Sequence, residues 1–574
     1  MHNKKSGKQS TDNLFREAYS LHQRQQTDAA QKLYRQILSI DRNHINALTL
    51  LSSIYLERGA HSEATRLLKR SLELYSEQPV AWCNLGLCHE KQQDLAQALT
   101  SYDRAIALQP QFAGALYNRG AVLRKLQRPT EALADYDRAL AVQPDFYLAH
   151  NNRGNALTDL SRHKEAIASF SEALRLRPDF AEACNNRGVC YWKTRQHTEA
   201  IANYARAIQL QPDYFSALLN LATALHDVHR YEEARQYLDK ALQLQPDDAE
   251  AVALQFDIAA RLCDWQHHDI HVNGIVKAIQ EDRILPPFTA LFAIDDATLQ
   301  QRVAGNWAGS LQSTAMGKAE ISPVSTERRR LRVAYLSGDF HEHPVALLLA
   351  RVFELQDRQN FEYYALSCGP AIADPLRRRV QAAFEHFVDI ADWPDQTVCS
   401  YLQDQDIDIL VDLGGYTASG RPRITLSRPA RLHVSFLGFP GTLGSHAIDY
   451  LLADMHVLPP ALSAFFEEKI IHLPGSFMPN DPTRPIDRNP VSRRDEGLPE
   501  SGFVFCCFNQ AYKIAPDRFS AWMRILQQVP DSILWLSASH AVAQANLRRA
   551  AIAHGIDSER LVFARRTERQ DQHL

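Results

Sequence analysis

The sequence predicts a two-part chain, an α-solenoid of stacked helix pairs followed by an α/β region built on parallel strands. Three observations carry this reading. Prolines fall at Pro110, Pro144, Pro178, Pro212 and Pro246, each 34 residues after the last, and the residues around them repeat in step. From Leu331 the apolar pattern changes from helical spacing to short continuous runs of strand length. A length of 574 residues allows several domains, and 45% apolar with 23% charged residues is the balance of a globular chain.

The first element is a polar, basic run at 1–10 that reads as an unstructured terminus. Residues 11–248 then hold seven units. A unit starting at Pro79 gives Trp82, Leu85, Gly86, Ala98, Tyr102, Ala105 and Pro110, and one starting at Ala181 gives Gly188, Tyr191, Ala200, Tyr204, Ala207 and Pro212. These are tetratricopeptide spacings. Two short helices cross closely only where side chains are small, as at Gly86, Gly120, Gly154 and Gly188, while Tyr102, Tyr136, Phe170 or Tyr204 fills the gap. The proline stops the second helix. The first two units are degenerate, which suits an end cap.

A second column stands at Asn84, Asn118, Asn152, Asn186 and Asn220, at one place on the first helix of five successive units. First helices line the concave face of such a superhelix. An amide carries both donor and acceptor, so a ladder of them can bind the backbone of an extended peptide without reading its side chains. The alternative is that each Asn bonds a neighbouring helix. Asparagine is a mediocre helix former where Leu or Ala would serve packing as well, which favours the peptide.

Residues 249–310 keep a helical pattern and read as a helical cap or transition, and 311–330, ending in three arginines, read as a linker. Strand-length runs follow at 331–337, 361–367, 408–413, 432–437, 503–508, 533–537 and 561–564, alternating with amphipathic stretches at 345–356, 516–528 and 543–554. Buried parallel strands with crossover helices give this pattern, and ligands of such sheets lie beyond the strands' carboxyl ends. The loops there are Gly338 to Pro344, Gly414 to Thr417, Gly438 to Thr442 and Asn509 to Ile514. Each offers glycine, an amide or a cation to a phosphate or sugar, and Pro344 presets a helix start whose free N–H groups face an anion. A metal site at His341 and His343 is poor, because the two imidazoles are spaced i, i+2 with no further ligand cluster.

Charge narrows the function classes. With 63 Lys+Arg against 67 Asp+Glu, net −4, there is no global pull toward nucleic acid or an acidic membrane. Nine cysteines, none in a C-x-x-C pair, read as reduced thiols of a cytoplasmic protein. No apolar run is long enough for a bilayer, and none follows the N-terminus as a leader would require.

Six segments together resemble the O-linked N-acetylglucosamine transferases, which join tetratricopeptide repeats to a two-lobed GT-B transferase. They are D-F-x-x-H-P (Asp339 to Pro344), H-F-V-D-I (His386 to Ile390), G-Y-T (Gly415 to Thr417), the run from Arg428 to Thr442, D-Y-L-L-A-D (Asp449 to Asp454) and C-F-N-Q-x-Y-K-I (Cys507 to Ile514). The resemblance implies an N-terminal catalytic lobe at 331–480 and a partial C-terminal lobe at 481–574. It implies transfer of GlcNAc from the co-substrate UDP-GlcNAc to Ser or Thr of proteins held by the repeats, inverting, with no cofactor and no metal. Lys513 would neutralise charge on the diphosphate and Gln510 would hydrogen-bond it. His343 matches the active-site histidine, either base or orienting group, and His386 a second histidine near the nucleotide sugar. Leu437, Gly438 and Pro440 match the loop over the sugar, with Thr417 among the donor contacts. The plainer reading of His343 is a helix-start residue with a structural bond.

The second lobe of such a fold has about six strands, and three candidates precede Leu574. The family's later H-T-T loop and ribose-binding acidic residue have no counterpart, so the sequence reads as a truncated gene or fragment. Two alternatives follow: a catalytically impaired protein-binding scaffold, or a related transferase using another UDP-sugar.

Overall fold

The computed structural model describes residues 2–312, 330–484 and 492–565, with side chains from Thr11 onward. The chain divides into two compact units, Met1–Ala224 and Leu225–Leu574.

The first unit is a run of helix pairs, from His2–Gln23 and Thr27–Ile40 to Ala181–Lys193 and His197–Leu210. The opening helix, His2–Gln23, takes in the run that the sequence leaves outside the array. Glycine against aromatic sets the spacing. A Cβ on Gly154 would stand 2.6 Å from the Phe170 ring, and the same holds at Gly86 against Tyr102, 2.6 Å, and Gly188 against Tyr204, 2.7 Å. Each pair turns through one left-handed residue, at Gln25, Gly59, Gln93, Gln127, Ser161 and Arg195, with φ from 58° to 73°. Only one of these is glycine, so the turn is held by its hydrogen bonds, such as Asp94 N–H to the His89 carbonyl at 2.9 Å.

The second unit opens inside the seventh repeat. Its helix Tyr231–Leu244 is tied forward by Arg235 to Asp264, 2.8 Å, and Glu232 to His540, 3.4 Å. Helices Ala249–Arg261, His268–Gln280, Pro287–Ala293 and Ala297–Gln312 follow, as the sequence leads one to expect for 249–310. Of the linker at 311–330, only residues 311, 312 and 330 lie within the described residues.

Seven parallel strands then form one sheet: β1 (Leu331–Ser337), β2 (Phe361–Ser367), β3 (His386–Asp389), β4 (Ile409–Asp412), β5 (Leu432–Phe436), β6 (Tyr450–Ala453) and β7 (Lys469–His472), in the order β3-β2-β1-β4-β5-β6-β7. Helices cover both faces. Phe340, Leu349, Phe353 and Phe384 fill one side, and Leu336, Leu366, Leu402 and Ile424 the other. β8 (Val504–Cys507), β9 (Ile533–Leu536) and β10 (Leu561–Phe563) form a second parallel sheet, order β10-β9-β8.

All seven expected strands are present, and β3, β6 and β7 are additional. Past β7 the chain stays on the first lobe as far as Thr483, beyond the boundary expected at 480. Arg379 holds it there, bonding Asp481 at 2.6 Å and Glu354 at 2.7 Å. Burial works against the Asp481 charge, yet the bonds from Arg379 and Thr483 hold its carboxyl down at about 2. All nine cysteines are unpaired thiols. No helix among the described residues is long and apolar enough to cross a membrane.

Phe170 is fully buried, so Phe170→Ala is expected to cost about 3–5 kcal/mol in denaturant unfolding. Gly154→Ala is expected to destabilise the parent despite the better helix former, and to stabilise the Phe170→Ala background, where the ring is gone. Equal effects of Gly154→Ala in both backgrounds would show that the ring does not require the glycine.

Candidate active site

The strand order of the first sheet reverses between β1 and β4, and the crevice beyond their carboxyl ends is where such sheets bind ligands. Here the crevice floor is closed by backbone. A Cβ on Gly369, after β2, would overlap the Gly338 carbonyl, after β1, and one on Gly438, after β5, would overlap the Leu413 carbonyl, after β4. Asp412, at the end of β4, turns inward. Its Oδ1 accepts N–H bonds from Gly414 at 2.8 Å and Gly415 at 2.9 Å, and Oδ2 accepts from the Thr425 hydroxyl at 2.9 Å. Burial raises its pKa against those three bonds.

His343 stands at the rim. Its Nδ1 accepts from Val345 N–H at 3.3 Å, capping the helix Pro344–Glu354, so the helix-start role is real. The same atom lies 3.7 Å from Asp339 Oδ2. Asp339 is nearly buried and accepts from the Ser419 hydroxyl at 3.0 Å. Burial lowers the pKa of the His343 imidazole; Asp339 pulls upward and His341 adds to the lowering. A neutral imidazole whose Nδ1 accepts from Val345 carries its proton on Nε2, so in this arrangement the ring presents an N–H to the crevice. The loop beneath is pinned by Arg377, which donates to the Phe340 carbonyl at 3.2 Å and the Ser367 hydroxyl at 3.1 Å, pairs with Asp389, and lies over the Phe387 ring. The His341 and His343 ring centroids are 5.9 Å apart, and among the described residues no group of three His, Cys, Asp or Glu gathers that could hold a metal.

The loop after β5 is equally constrained. Leu437 has φ +68°, and the Gly438 N–H turns back to the Phe436 carbonyl at 2.9 Å, which leaves Pro440 exposed above buried Phe439. Two buried groups grip the far end of this loop: the Tyr416 hydroxyl donates to the Leu443 carbonyl at 2.6 Å, and Glu468 accepts from Thr442 at 2.7 Å and Leu443 N–H at 2.6 Å. Burial raises the Glu468 pKa against those bonds. Thr417 spends its hydroxyl on the Gly414 carbonyl at 2.8 Å. The structure therefore brings His343, Thr417 and the 437–440 loop to one sheet edge.

His386 is not with them. It opens edge strand β3, opposite Tyr364 in mid-β2, and its Nε2 bonds Glu362 at 2.8 Å while its ring stacks on Tyr364 at 4.2 Å. Glu362 lies toward the amino end of β2 and Tyr364 at its middle, so the position near the nucleotide sugar implied by the motif does not follow from these contacts. On the second lobe, Gln510 and Lys513 bracket a short 3-10 turn after β8, and both are exposed. Among the described residues no carboxylate pairs with Lys513; its amine lies 5.9 Å from the neighbouring Tyr512 ring.

In the repeats, the asparagine amides bond the preceding first helix: Asn84 to Ser53 at 3.3 Å, Asn118 to Cys83 at 3.8 Å, Asn186 to Asn155 at 3.0 Å and Asn220 to Asn185 at 2.9 Å. Asn152 accepts from Asn151 at 3.4 Å. All five remain half-exposed. Sequence reasoning gave no role to Asp339, Ser419, Arg377 or Glu468; Asp339 alone lay inside a quoted motif.

A seven-stranded parallel sheet of this order, followed by a second parallel sheet and preceded by helical repeats, defines a repeat-bearing protein of GT-B-like fold. A profile described as Glycosyl transferase family 41 matches residues 262–488 and 483–574, more than half of the chain, and the chain belongs to that family. Tetratricopeptide repeat profiles match 21–83, 79–112, 117–181, 152–214 and 192–255. The Arabidopsis thaliana protein named probable UDP-N-acetylglucosamine–peptide N-acetylglucosaminyltransferase SEC is 32% identical over 322 residues, covering 53% of this chain and 33% of that protein. The Caenorhabditis elegans UDP-N-acetylglucosamine–peptide N-acetylglucosaminyltransferase is 25% identical, covering 53% and 37%. The chain thus spans about a third of the length of these curated relatives. Among solved structures, an O-GlcNAc transferase from Thermobaculum terrenum is 25% identical, covering 80% of this chain and 75% of that one, at a TM-score of 0.44.

Because Asp339 pulls the pKa of the His343 ring upward against burial, Asp339→Asn is expected to lower it further. An NMR titration of His343 reads this directly. A pKa unchanged in Asp339→Asn would show that the carboxylate does not face the ring.

Proposed function

We propose that this protein transfers N-acetylglucosamine from UDP-GlcNAc to Ser or Thr hydroxyls of proteins, its repeats holding the acceptor. The family match across both lobes supports this, and the observation that carries it is the Gln510–Lys513 turn. It presents an amide and an unpaired ammonium to solvent just beyond a parallel strand, where a diphosphate would need both.

In this reading the acceptor oxygen attacks the anomeric carbon from the face opposite the diphosphate. The new C–O bond forms as the bond to phosphate oxygen breaks, and configuration inverts. The electron pair leaves on UDP, whose growing charge Lys513 meets with its ammonium and Gln510 with its amide. His343 takes or orients the hydroxyl proton, its Nδ1 held by the Val345 N–H and its charged form favoured by the nearby Asp339 carboxylate. The 437–440 loop closes against the sugar, and no metal or resident cofactor enters the scheme. The asparagine column receives the acceptor backbone. Free thiols, seven of the nine buried, suit a reducing cytoplasm.

Lys513→Ala is expected to lower transfer at least about 100-fold, read with a mass-tagged donor on acceptor protein and mass spectrometry. Transfer at the parent rate in Lys513→Ala would remove the lysine from the mechanism; no sugar transferred by the parent chain would end the proposal.

A further inference from the structure

The turn that carries Gln510 and Lys513 is gripped from outside its own lobe. It is short, closed by Lys513 N–H to Gln510 O and Ile514 N–H to Ala511 O, both 2.9 Å. Ile514 is buried in the second lobe's core. Tyr512 goes the other way. Its ring centroid lies 5.1 Å from Phe292 and 6.4 Å from Phe288, both on the helix Pro287–Ala293, and the Arg261 guanidinium carbon stands 4.9 Å from that ring centroid. One residue earlier, the Ala511 carbonyl accepts from the Cys263 thiol at 3.7 Å. The same helix end takes two more contacts from the lobe, Asn546 to the Leu262 carbonyl at 2.8 Å and the Trp265 ring 5.2 Å from Phe519. The lobe therefore docks on residues 261–265, and Tyr512 is the side chain that reaches across.

Arg261 is itself fixed by the last repeat. Its Nε donates to Asp257 at 2.9 Å, one helical turn earlier. Asp257 is nearly buried and lies 2.5 Å from Nε2 of His226, whose Nδ1 meets Asp227 at 3.0 Å. Arg261 also stands 6.0 Å over Tyr231, the first residue of the repeat's second helix. A buried carboxylate between a guanidinium and an imidazole leaves the guanidinium little freedom, and its flat face is what the Tyr512 ring meets.

We propose that Arg261 is a positioning residue for the donor turn: stacked on Tyr512 and anchored by Asp257, it sets where the Lys513 amine and the Gln510 amide stand. The end of the repeat array and the diphosphate-binding turn are then one mechanical piece. This rests on the assignment of Lys513 and Gln510 to the donor. A displacement of about 1 Å at such a group is enough to lose roughly 100-fold in rate, so a flexible lysine on a short turn gains from an external brace.

The test uses the full chain with Arg261→Met and Arg261→Lys, the second keeping a charge for Asp257 without the flat face, and Arg235→Met as control. Arg235 pairs with Asp264 on the same helical segment and does not touch Tyr512. Amide exchange at Lys513 and Ile514 is expected to rise about tenfold in Arg261→Met and severalfold in Arg261→Lys, with β1 and β4 unchanged. UDP affinity by calorimetry should fall in parallel, and Arg235→Met should move neither reading. If Arg261 only stabilised the fold, exchange would rise in both sheets together, which overturns the proposal. So does unchanged exchange at the turn, and so does a loosened turn with unchanged UDP affinity. Failure of the parent chain to bind UDP removes the donor assignment instead, and the exchange rates still decide whether Arg261 fixes the turn.

Discussion

Backbone packed on backbone at the carboxyl edge of the first sheet is the constraint on which the site depends. Where β1, β2, β4 and β5 end, their loops approach so closely that Gly369 and Gly438 have no room for a side chain. Peptide groups brought together this way must satisfy each other, since water is excluded. Asp412 completes the arrangement, taking the two N–H groups of the glycine pair that follows it. The crevice floor is therefore rigid and filled, and a ligand meets only what projects from the rim: His343, the 414–420 loop and the 437–440 loop. A nucleotide inserted between β1 and β4 would have to displace this floor.

The repeats solve a different packing problem with the same pairing of absent and bulky side chains. Each glycine of a first helix admits the aromatic of its own second helix, and three successive units add a polar tie. Arg119 bonds Asp103 and Asp135, Arg153 bonds Asp137 and Ser169, and Arg187 bonds Ser171 and Asn203, every partner 16 residues away in sequence. One arginine thus joins the second helices before and after it. The partners weaken along the array from two carboxylates to none, so the electrostatic share of the tie falls toward the seventh unit while the hydrogen-bond geometry persists.

How much of this was legible follows from which patterns are local. β1 and β2 are long apolar runs buried on both faces, and their bounds match the sequence reading residue for residue. β3, β6 and β7 are four residues each and lie outside the sheet's centre; β3 and β7 mix charge with apolar groups, as in Lys469-Ile-Ile-His472, and β6 is a short apolar run, Tyr450–Ala453, closed off by Asp449 and Asp454. Their neighbours in the sheet, not their own composition, make them strands. The same limit separates the site residues. His343, Thr417 and the 437–440 loop sit directly after strands and could be placed by counting. Asp339 to Ser419, Arg377 to Phe340 and Glu468 to Thr442 are contacts between distant segments, invisible to any spacing rule. His386 shows the converse: a motif match fixes a residue type, while the strand register sets the residue opposite Tyr364, at the middle of β2.

The asparagine column shows why the two readings weighed for it are not rivals. Four of the five amides donate once to the preceding helix, as the plainer reading requires. A primary amide has two N–H donors and an oxygen with two lone pairs, so one such bond leaves capacity for a ligand. Because the bond fixes the amide's plane, that remaining capacity is held in direction at those four positions instead of rotating with χ2. An extended peptide loses conformational entropy on binding, and a receptor whose amides are already immobilised adds little further cost. In the proposed function, these helix-to-helix bonds would preorganise the amides for an acceptor backbone. Leucine at these positions would pack as well between units, but it would leave the groove with neither the donor nor the acceptor that a backbone needs.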